Sequence, residues 1–233
     1  VIDDLPVLTE RLDQLAGGGL RFTQFYNTAK CHSSRVSLLT GLYCDQAGGA
    51  KLSRGATIAE ALGQAGYFTA MVGKWHLNQQ PTDFGFDRYW GHLSGATNFF
   101  TGDGTFRLNG QPWQIPKTLG GRPFYTTHAI GDFALQFLDE ATDSKKPFLL
   151  YLSYYNIHTP IQAYKKRIDH YVTKAKKTFE GNTPTRPEHE GKTRMRQDNP
   201  ALASMVAAVD DSVGALTAKL DELGLTESTV IIF

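Results

Sequence analysis

The residues most capable of chemistry lie in one short segment, which reads Thr-Ala-Lys-Cys-His-Ser-Ser-Arg-Val-Ser-Leu-Leu-Thr-Gly over residues 28–41. In this segment a cysteine, Cys31, precedes a cation, Arg35, and then an apolar run. The run predicts a helix that Ser33 or Ser34 could cap and Gly41 could end. Because a helix N-terminus and a guanidinium both favour a bound oxyanion, one interpretation is a reactive cysteine beside an anion site. The residues alone are equally compatible with a buried structural cysteine before an ordinary amphipathic helix.

Two further groups of polar residues follow predicted strands. A β-rich run from Tyr67 to Val72 is followed by Lys74 and His76, whose spacing places both side chains on one face of an extended segment. The apolar run from Phe148 to Tyr155 predicts another strand, and His158 follows it. Open α/β sheets bind ligands at the carboxyl ends of their strands, so these residues are candidates for one site. A lone lysine or histidine in such a position is nevertheless more often structural.

The first residues of the chain, Val-Ile-Asp-Asp-Leu, form the end of a predicted apolar strand with two adjacent carboxylates. Asp3 and Asp4 repel each other unless a cation or solvent separates them. Their hard oxygen atoms suit Ca²⁺ or Mg²⁺. A solvated acidic turn is the alternative interpretation of the same residues.

The pattern of Cys31, Ser33 and Arg35, with its Leu-Thr-Gly ending, resembles the signature of the type I sulfatases. The segment Gly-Tyr-Phe-Thr-Ala-Met-Val-Gly-Lys-Trp-His-Leu, residues 66–77, is similar to the second signature of that family. The resemblance extends over nearly the whole chain and is to the front part of a sulfatase. In that family the cysteine is converted after translation to formylglycine. The resemblance therefore implies a formylglycine-generating or sulfatase-maturing enzyme as a partner.

The resemblance also implies roles for the residues that bind the cation and the anion. Asp3 and Asp4 match two carboxylates that ligate a divalent cation, usually Ca²⁺ with Mg²⁺ as the alternative. The residue at position 31 is implied to contact the same cation. Arg35 and Lys74 are implied to stabilise oxygen atoms of the formylglycine and of the sulfate.

The remaining implied roles concern proton transfer and positioning. His76 is implied to orient the geminal diol of the hydrated formylglycine. His158 is implied to protonate the leaving oxygen, although Ile157 replaces the proline that usually precedes it. Ser94 lies near the place where related enzymes have a hydroxyl that contacts the sulfate region. In the implied reaction one hydroxyl of the diol attacks sulfur and the other allows sulfate to be released.

These residues predict hydrolysis of sulfate esters, in which the substrate is a sulfated small molecule, such as an aryl sulfate, or a sulfated glycan. The loops at residues 78–125 and 164–199 are expected to select the substrate. Two alternatives remain open. The first is a phosphodiester or phosphonate monoester hydrolase on the same scaffold, and the second is a catalytically inactive sulfatase-like protein that binds glycans.

Composition argues against several other classes. The chain has 24 Lys+Arg and 23 Asp+Glu residues, so it lacks the basic balance of a nucleic-acid partner. No stretch reaches the roughly 20 apolar residues of a membrane span. No bridge is expected between Cys31 and Cys44, because it would consume the catalytic cysteine. Residue 1 is Val rather than Met, so a targeting segment is not in view, and we expect a secreted, periplasmic or lysosomal-type compartment.

Predicted strands alternate with predicted helices, which indicates the α/β class. The expected architecture is a three-layer α/β/α sandwich with a mostly parallel sheet, and the resemblance implies the alkaline-phosphatase-like fold. One sulfatase catalytic domain is expected over residues 1–233, incomplete at its C-terminal end because the family's remaining metal ligands come later. Helices are predicted over 6–16, after residue 31, over 57–64, from 125 and over 200–224, and strands over 20–26, 67–72, 148–155 and 229–233.

Overall fold

The structure, a computed structural model, describes residues 9–233. Its helices are α1 (Glu10–Gly17), α2 (Cys31–Thr40), α3 (Ile58–Gln64), α4 (Thr126–Ser144), α5 (Ile168–Thr178) and α6 (Pro200–Glu222). Its strands are β1 (Phe68–Gly73), β2 (Arg88–His92), β3 (Phe106–Leu108), β4 (Gln111–Pro112), β5 (Thr118–Leu119), β6 (Arg122–Pro123), β7 (Phe148–Ser153), β8 (Thr185–Glu188) and β9 (Gly191–Arg194).

A five-stranded sheet with the strand order β4-β3-β2-β1-β7 forms the middle of the fold. Strand β1 runs parallel to both of its neighbours, β2 and β7, whereas β3 and β4 continue the sheet in antiparallel pairs. All six residues of β1 are buried, as expected for a strand that is covered on both faces. The predicted α/β class is confirmed, and the sheet is a mixed one.

Helices cover both faces of this sheet. On one face, Ile130 of α4 packs in the same cluster as Val72 of β1, and α6 lies against α4. On the other face, Leu39 of α2 and Ala59 of α3 pack in a cluster with Met71 of β1. Adjacent residues of β1 thus point into opposite clusters, which is the alternation of a pleated strand. The predicted three-layer sandwich is confirmed.

Capping side chains explain where two of the helices begin. The Thr57 N–H donates to Glu60 Oε2 at 2.7 Å, and the Glu60 N–H donates to Thr57 Oγ1 at 3.1 Å, which forms the predicted capping box of α3. At α6, Asn199 Oδ1 accepts from the N–H groups of Ala201 at 3.1 Å and Leu202 at 3.3 Å. These oxygen atoms satisfy donors that have no partner inside their helices.

Helix α6 is long and apolar enough to cross a membrane, and among residues 9–233 it is the one helix with that property. Of its most apolar window, 56% is buried, and the helix contacts α1, α4 and α5. This is the environment of a core helix, so its length and composition are only weak support for a membrane span.

Asp210 of α6 is a buried acid. It is only 6% exposed, and its carboxylate accepts from the N–H groups of Arg11 at 3.1 Å and Leu12 at 2.9 Å. These N–H groups lie in the first turn of α1, where helical acceptors are missing. Asp210 therefore caps a neighbouring helix, which the sequence around it does not indicate.

Two predicted strands are wrong. Residues 20–26 and 229–233 have the alternating or apolar pattern of strands, but neither segment pairs with a strand in the described part of the chain. Their apolar side chains are largely exposed, for example Leu20 at 81%, Phe25 at 80% and Ile232 at 91%. A strand needs both a hydrogen-bonding partner and a covering layer, and these segments have neither within residues 9–233.

Candidate active site

Cys31 is the first residue of α2 and is half-buried. Ser33 and Ser34 lie inside the first turn, and the residue before the helix, Lys30, makes no side-chain cap. The predicted serine cap is therefore wrong. The N–H groups at this end are consequently left without a capping side chain close to the sulfur. The helix ends at Gly41 as predicted, with a left-handed φ of 69°.

The residues after β1 bring Lys74 and His76 to the same place. Trp75 between them is fully buried in the cluster that also contains residues of α2 and α3. His76 has a left-handed φ of 63°, so the extended segment expected from the sequence ends before this residue. Lys74 is only 2% exposed, and its ammonium lies close enough to Cys31 to affect its pKa. Burial and the nearby Arg35 guanidinium lower the pKa of Lys74, and the contact with Cys31 opposes that shift.

Strand β1 approaches β7 very closely just before Lys74. Gly73 has a φ of 109°, and a Cβ atom on it would lie 2.1 Å from the Ser153 carbonyl oxygen. Only glycine fits this contact.

Arg35 braces the ends of these two strands. Its Nη1 donates to the Lys74 carbonyl oxygen at 2.7 Å and also contacts Ser153 Oγ. Ser153 Oγ donates to the same carbonyl oxygen at 2.8 Å. Burial lowers the pKa of Arg35, and the nearby Tyr151 hydroxyl opposes that shift. Its Nε is buried and has no hydrogen-bond partner among the described residues, which leaves one donor for another group.

His76 lies among other cationic groups. Burial first, and then the charges of Lys74, Arg35, His32 and His158, lower the pKa of His76 to about 4. The imidazole is therefore neutral at pH 7 and can take part in hydrogen bonds without adding charge. Its Nδ1 is buried without a hydrogen-bond partner in the part of the chain that the structure describes.

His158 follows β7 and is held through its Nδ1. That atom lies 2.7 Å from the Thr159 carbonyl oxygen and 3.0 Å from the Tyr155 hydroxyl. His158 is also near enough to His76 to affect its pKa. The structure thus brings five of the predicted residues together, namely Cys31, Arg35, Lys74, His76 and His158. Their catalytic roles remain predictions.

Ser94 is near this group, but its hydroxyl is used within its own loop. Ser94 Oγ bonds to the Ala96 carbonyl oxygen at 2.7 Å and contacts the Asp103 carboxylate. The next residue, Gly95, lies against His76, because a Cβ on it would be 2.4 Å from Nε2 of that ring. A role for Ser94 in binding substrate stays a prediction.

An open cavity of about 590 Å³ lies beside Cys31, between α2 and β7. Cys31, Ser34 and Arg35 line it on the helix side, and Tyr151 and Ser153 line it on the strand side. Both cysteines of the chain are free thiols, in agreement with the prediction of no disulfide bridge. A ligand of the size of a sulfate group has room next to the sulfur atom.

The predicted cation ligands Asp3 and Asp4 lie outside the described residues. Within residues 9–233, no group of three or more His, Cys, Asp or Glu side chains could hold a metal ion. The described residues alone therefore do not fit a divalent cation, and the function proposed below includes no step through one.

Three neighbours of this group were not predicted, namely His32, Ser153 and Tyr155. The ring of His32 lies edge-on to that of His76, with 6.2 Å between the centroids. Ser153 and Tyr155 belong to an apolar run that predicts only a strand. Their spacing of two at its carboxyl end was the available signal, because it places both side chains on one face.

Comparison with known proteins agrees with the fold and identifies the family. Residues 2–233 match the family profile described as Sulfatase, so the chain belongs to the sulfatase family. It is 24% identical to arylsulfatase J of Mus musculus over 97% of the chain and 38% of that protein. It is 32% identical to arylsulfatase G of Canis lupus familiaris over 66% of the chain and 36% of that protein. The chain thus spans well under half of the length of these relatives.

A solved structure gives the same result for the fold. The structure of Ps i-CgsB in complex with k-i-k-neocarrahexaose superposes with a TM-score of 0.74 at 26% sequence identity. The match covers 93% of this chain and 50% of that one. The predicted sulfatase, alkaline-phosphatase-like fold is therefore confirmed.

Proposed function

We propose that the protein to which this chain belongs hydrolyses sulfate esters. The observation that carries the proposal is the cationic surrounding of Cys31, in a member of the sulfatase family. The Lys74 ammonium lies near Cys31, and Arg35 lies about one helical turn further along α2. In the reaction the S–O bond to the alcohol breaks, the alcohol oxygen takes a proton, and water supplies an oxygen atom to the sulfate.

We further propose that Cys31 acts after conversion to formylglycine by a maturing enzyme. The hydrate of that aldehyde supplies an oxygen nucleophile and a route for releasing sulfate that a thiol lacks. The orphaned Arg35 Nε and His76 Nδ1 support the proposal, because each is a buried polar atom without a partner among residues 9–233. Oxygen atoms bound near residue 31 would satisfy them.

The residues around position 31 have different roles in the proposed reaction. Lys74, Arg35 and the free N–H groups of α2 bind sulfate oxygens and offset the charge that develops on them. The His76 imidazole is neutral at pH 7, because its pKa is lowered to about 4. It holds a hydroxyl at position 31 by a hydrogen bond. His158 gives its Nε2 proton to the leaving oxygen. A Ca²⁺ or Mg²⁺ ion held by Asp3 and Asp4 stays part of the proposal on the basis of their chemistry alone.

Carbohydrate sulfates are the substrate class we favour. The complex of Ps i-CgsB contains a neocarrahexaose, and that protein has a fold similar to that of this chain. An open cavity of about 590 Å³ beside Cys31 can admit a group attached to a larger sugar. Sulfated glycans occur mainly outside cells and in degradative compartments, so a secreted, periplasmic or lysosomal-type location is consistent with this substrate.

The test combines a chemical and a kinetic measurement on the full-length protein, produced together with a maturing enzyme. Mass spectrometry of the peptide across residue 31 is expected to detect the loss of mass that accompanies conversion of the thiol to an aldehyde. The same preparation is expected to release sulfate from 4-nitrophenyl sulfate and from sulfated oligosaccharides, and to do so faster than it cleaves a phosphodiester.

Cys31→Ala is the inactive control, and Cys44→Ala, at the other free thiol, is the matched variant that keeps activity. An aldehyde with faster phosphodiester cleavage would assign the protein to phosphoester hydrolysis. An unmodified cysteine with glycan binding but no turnover would assign it to the inactive binding class.

A further inference from the structure

Tyr155 lies between two of the candidate catalytic groups although no role was predicted for it. Its side chain is 2% exposed, and its ring lies 5.0 Å from that of His158 at an angle of 23°. On another side, Lys74 Nζ lies 5.6 Å from the ring centroid. Phe99 and His92 also pack against the ring, with centroids at 4.8 Å and 5.1 Å. Such packing leaves the tyrosine little freedom to move.

The hydrogen bonds of the Tyr155 hydroxyl can be accounted for one by one. Its single proton goes to the Thr159 carbonyl oxygen at 2.5 Å. One lone pair accepts the Thr97 N–H at 3.0 Å. The other lone pair is free to face His158 Nδ1, which lies 3.0 Å away. The hydroxyl is therefore an acceptor toward the histidine.

The hydrogen-bond partners of His158 Nδ1 determine which ring nitrogen carries the proton. The Thr159 carbonyl oxygen lies 2.7 Å from Nδ1 and can only accept. Both neighbours of Nδ1 thus require an N–H group on that atom. With Nδ1 protonated, Nε2 is left as the nitrogen that gains and loses a proton.

We propose that Tyr155 is a positioning residue that keeps the proton on Nδ1 and fixes the ring orientation of His158. In this tautomer Nε2 is bare, so Nε2 takes up a proton from solvent to give the imidazolium and then delivers that proton to the leaving oxygen. This inference rests on the proposed sulfate ester hydrolysis and adds to it the group that orients the acid. Burial raises the pKa of Tyr155, so the hydroxyl stays protonated at neutral pH and keeps its bond to Thr159.

Tyr155→Phe separates positioning from packing, because it removes the hydroxyl and keeps the ring. The variant is made in the full-length, matured protein and assayed on two esters. With a sulfated sugar, whose alkoxide needs a proton, kcat is expected to fall by about 10- to 100-fold, a part of what a positioned acid contributes. With 4-nitrophenyl sulfate, whose leaving group needs little help, kcat is expected to change by less than about threefold.

Tyr125→Phe is the matched control. It also removes a buried hydroxyl that donates to a backbone carbonyl, that of Gln162 at 3.1 Å, but this bond is not made to His158. The control is expected to affect both esters equally and little. An equal loss with both esters in Tyr155→Phe would mean a packing role only and would overturn the proposal.

A spectroscopic measurement tests the same point without turnover. In protein labelled with ¹⁵N histidine, His158 is expected to give the Nδ1–H pattern. Tyr155→Phe is expected to lower the share of that tautomer, because the Thr159 carbonyl oxygen loses the hydroxyl that holds it and is the one strong acceptor left at Nδ1. A wild-type protein with bare Nδ1, or a variant with an unchanged pattern, overturns the inference. If the wild type cleaves no sulfate ester but the tautomer shift is seen, the proposed function fails and the positioning by Tyr155 stands.

Discussion

The carboxyl ends of β1 and β7 meet at Cys31 but present different kinds of groups. The end of β1 contributes Lys74 and His76, which are suited to holding an anion. The end of β7 contributes hydroxyl groups, from Ser153 and Tyr155, and then His158, whose Nδ1 is bound on one side. Under the proposed sulfate ester hydrolysis, we expect sulfate binding to depend on the β1 end and proton transfer on the β7 end, so that each can be disturbed without the other.

The largest expected effect concerns the β7 end. His158→Ala is expected to lower kcat on a sulfated sugar by about 10²- to 10⁴-fold, because it removes the proton donor. The fall with 4-nitrophenyl sulfate is expected to be much smaller, since nitrophenolate leaves without a proton. Steady-state kinetics on the two esters measure the difference, with His170→Ala on the exposed part of α5 as control. An equal loss of kcat with both esters would contradict the proposal that the ends of β1 and β7 have separate roles.

The next effect concerns the β1 end. Lys74→Met keeps most of the buried volume but removes the ammonium beside Cys31. The loss of one charged donor to the sulfate oxygens is expected to cost about 10²- to 10³-fold in kcat/KM, and equally for both esters. Lys146→Ala, at an exposed position, is the control. A loss that depends on the leaving group would mean that Lys74 takes part in proton transfer.

The third prediction concerns the dependence of stability on pH and a residue of β2, the strand next to β1. Strand β2 ends at His92. His92 is fully buried, and desolvation lowers the pKa of this histidine to about 3 from an ordinary 6.5. Below pH 6.5 the unfolded chain binds a proton that the folded chain does not, so stability falls until about pH 3 and is unaffected above pH 6.5. From pH 6.5 to pH 5 the free energy of unfolding is expected to drop by about 2 kcal/mol through His92 alone.

Urea unfolding at the two pH values measures this drop. His92→Gln is expected to have a shallower dependence than the wild type. A residual slope is expected, because burial also lowers the pKa values of His76 and His128 to about 4. Identical slopes in the wild type and the variant would show that His92 is already protonated in the folded chain.

The smallest effect concerns the hydrogen bonds that connect the ends of β1 and β7. Ser153→Ala removes the hydroxyl that donates to the Lys74 carbonyl oxygen at 2.8 Å and that contacts Arg35. The free energy of unfolding is expected to fall by about 1 kcal/mol, the net value of one such hydrogen bond. Both esters are expected to lose activity to the same small extent. Ser144→Ala, whose hydroxyl bonds to the Ala141 carbonyl oxygen at the end of α4, gives the reference value.

The parts of the fold that were predictable depend on local signals or on a strong family pattern. The capping box at Thr57 and the glycine at the end of α2 are complete within a few residues, so the sequence contains all the information. The proximity of Cys31, Lys74, His76 and His158 followed from their positions after strands and from the sulfatase signatures. Their roles were not tested by the geometry.

What could not be predicted depends on partners that are distant in sequence. Asp210 is a cap only because α1 packs against α6, some two hundred residues earlier. The segments 20–26 and 229–233 have strand-like sequences but no partner among residues 9–233. Ser33 and Ser34 were reasonable caps by residue type, yet the helix begins before them. The hydroxyl groups of Ser153 and Tyr155 are hidden in a run whose composition indicates only packing.

The contact at Gly73 has a consequence for how this protein can diversify. Because a methyl group there would collide with the Ser153 carbonyl oxygen at 2.1 Å, backbone geometry sets the gap between β1 and β7. Side-chain substitutions in the loops that follow these strands leave that gap unchanged, so we expect those loops to vary in sequence more readily than residue 73 does.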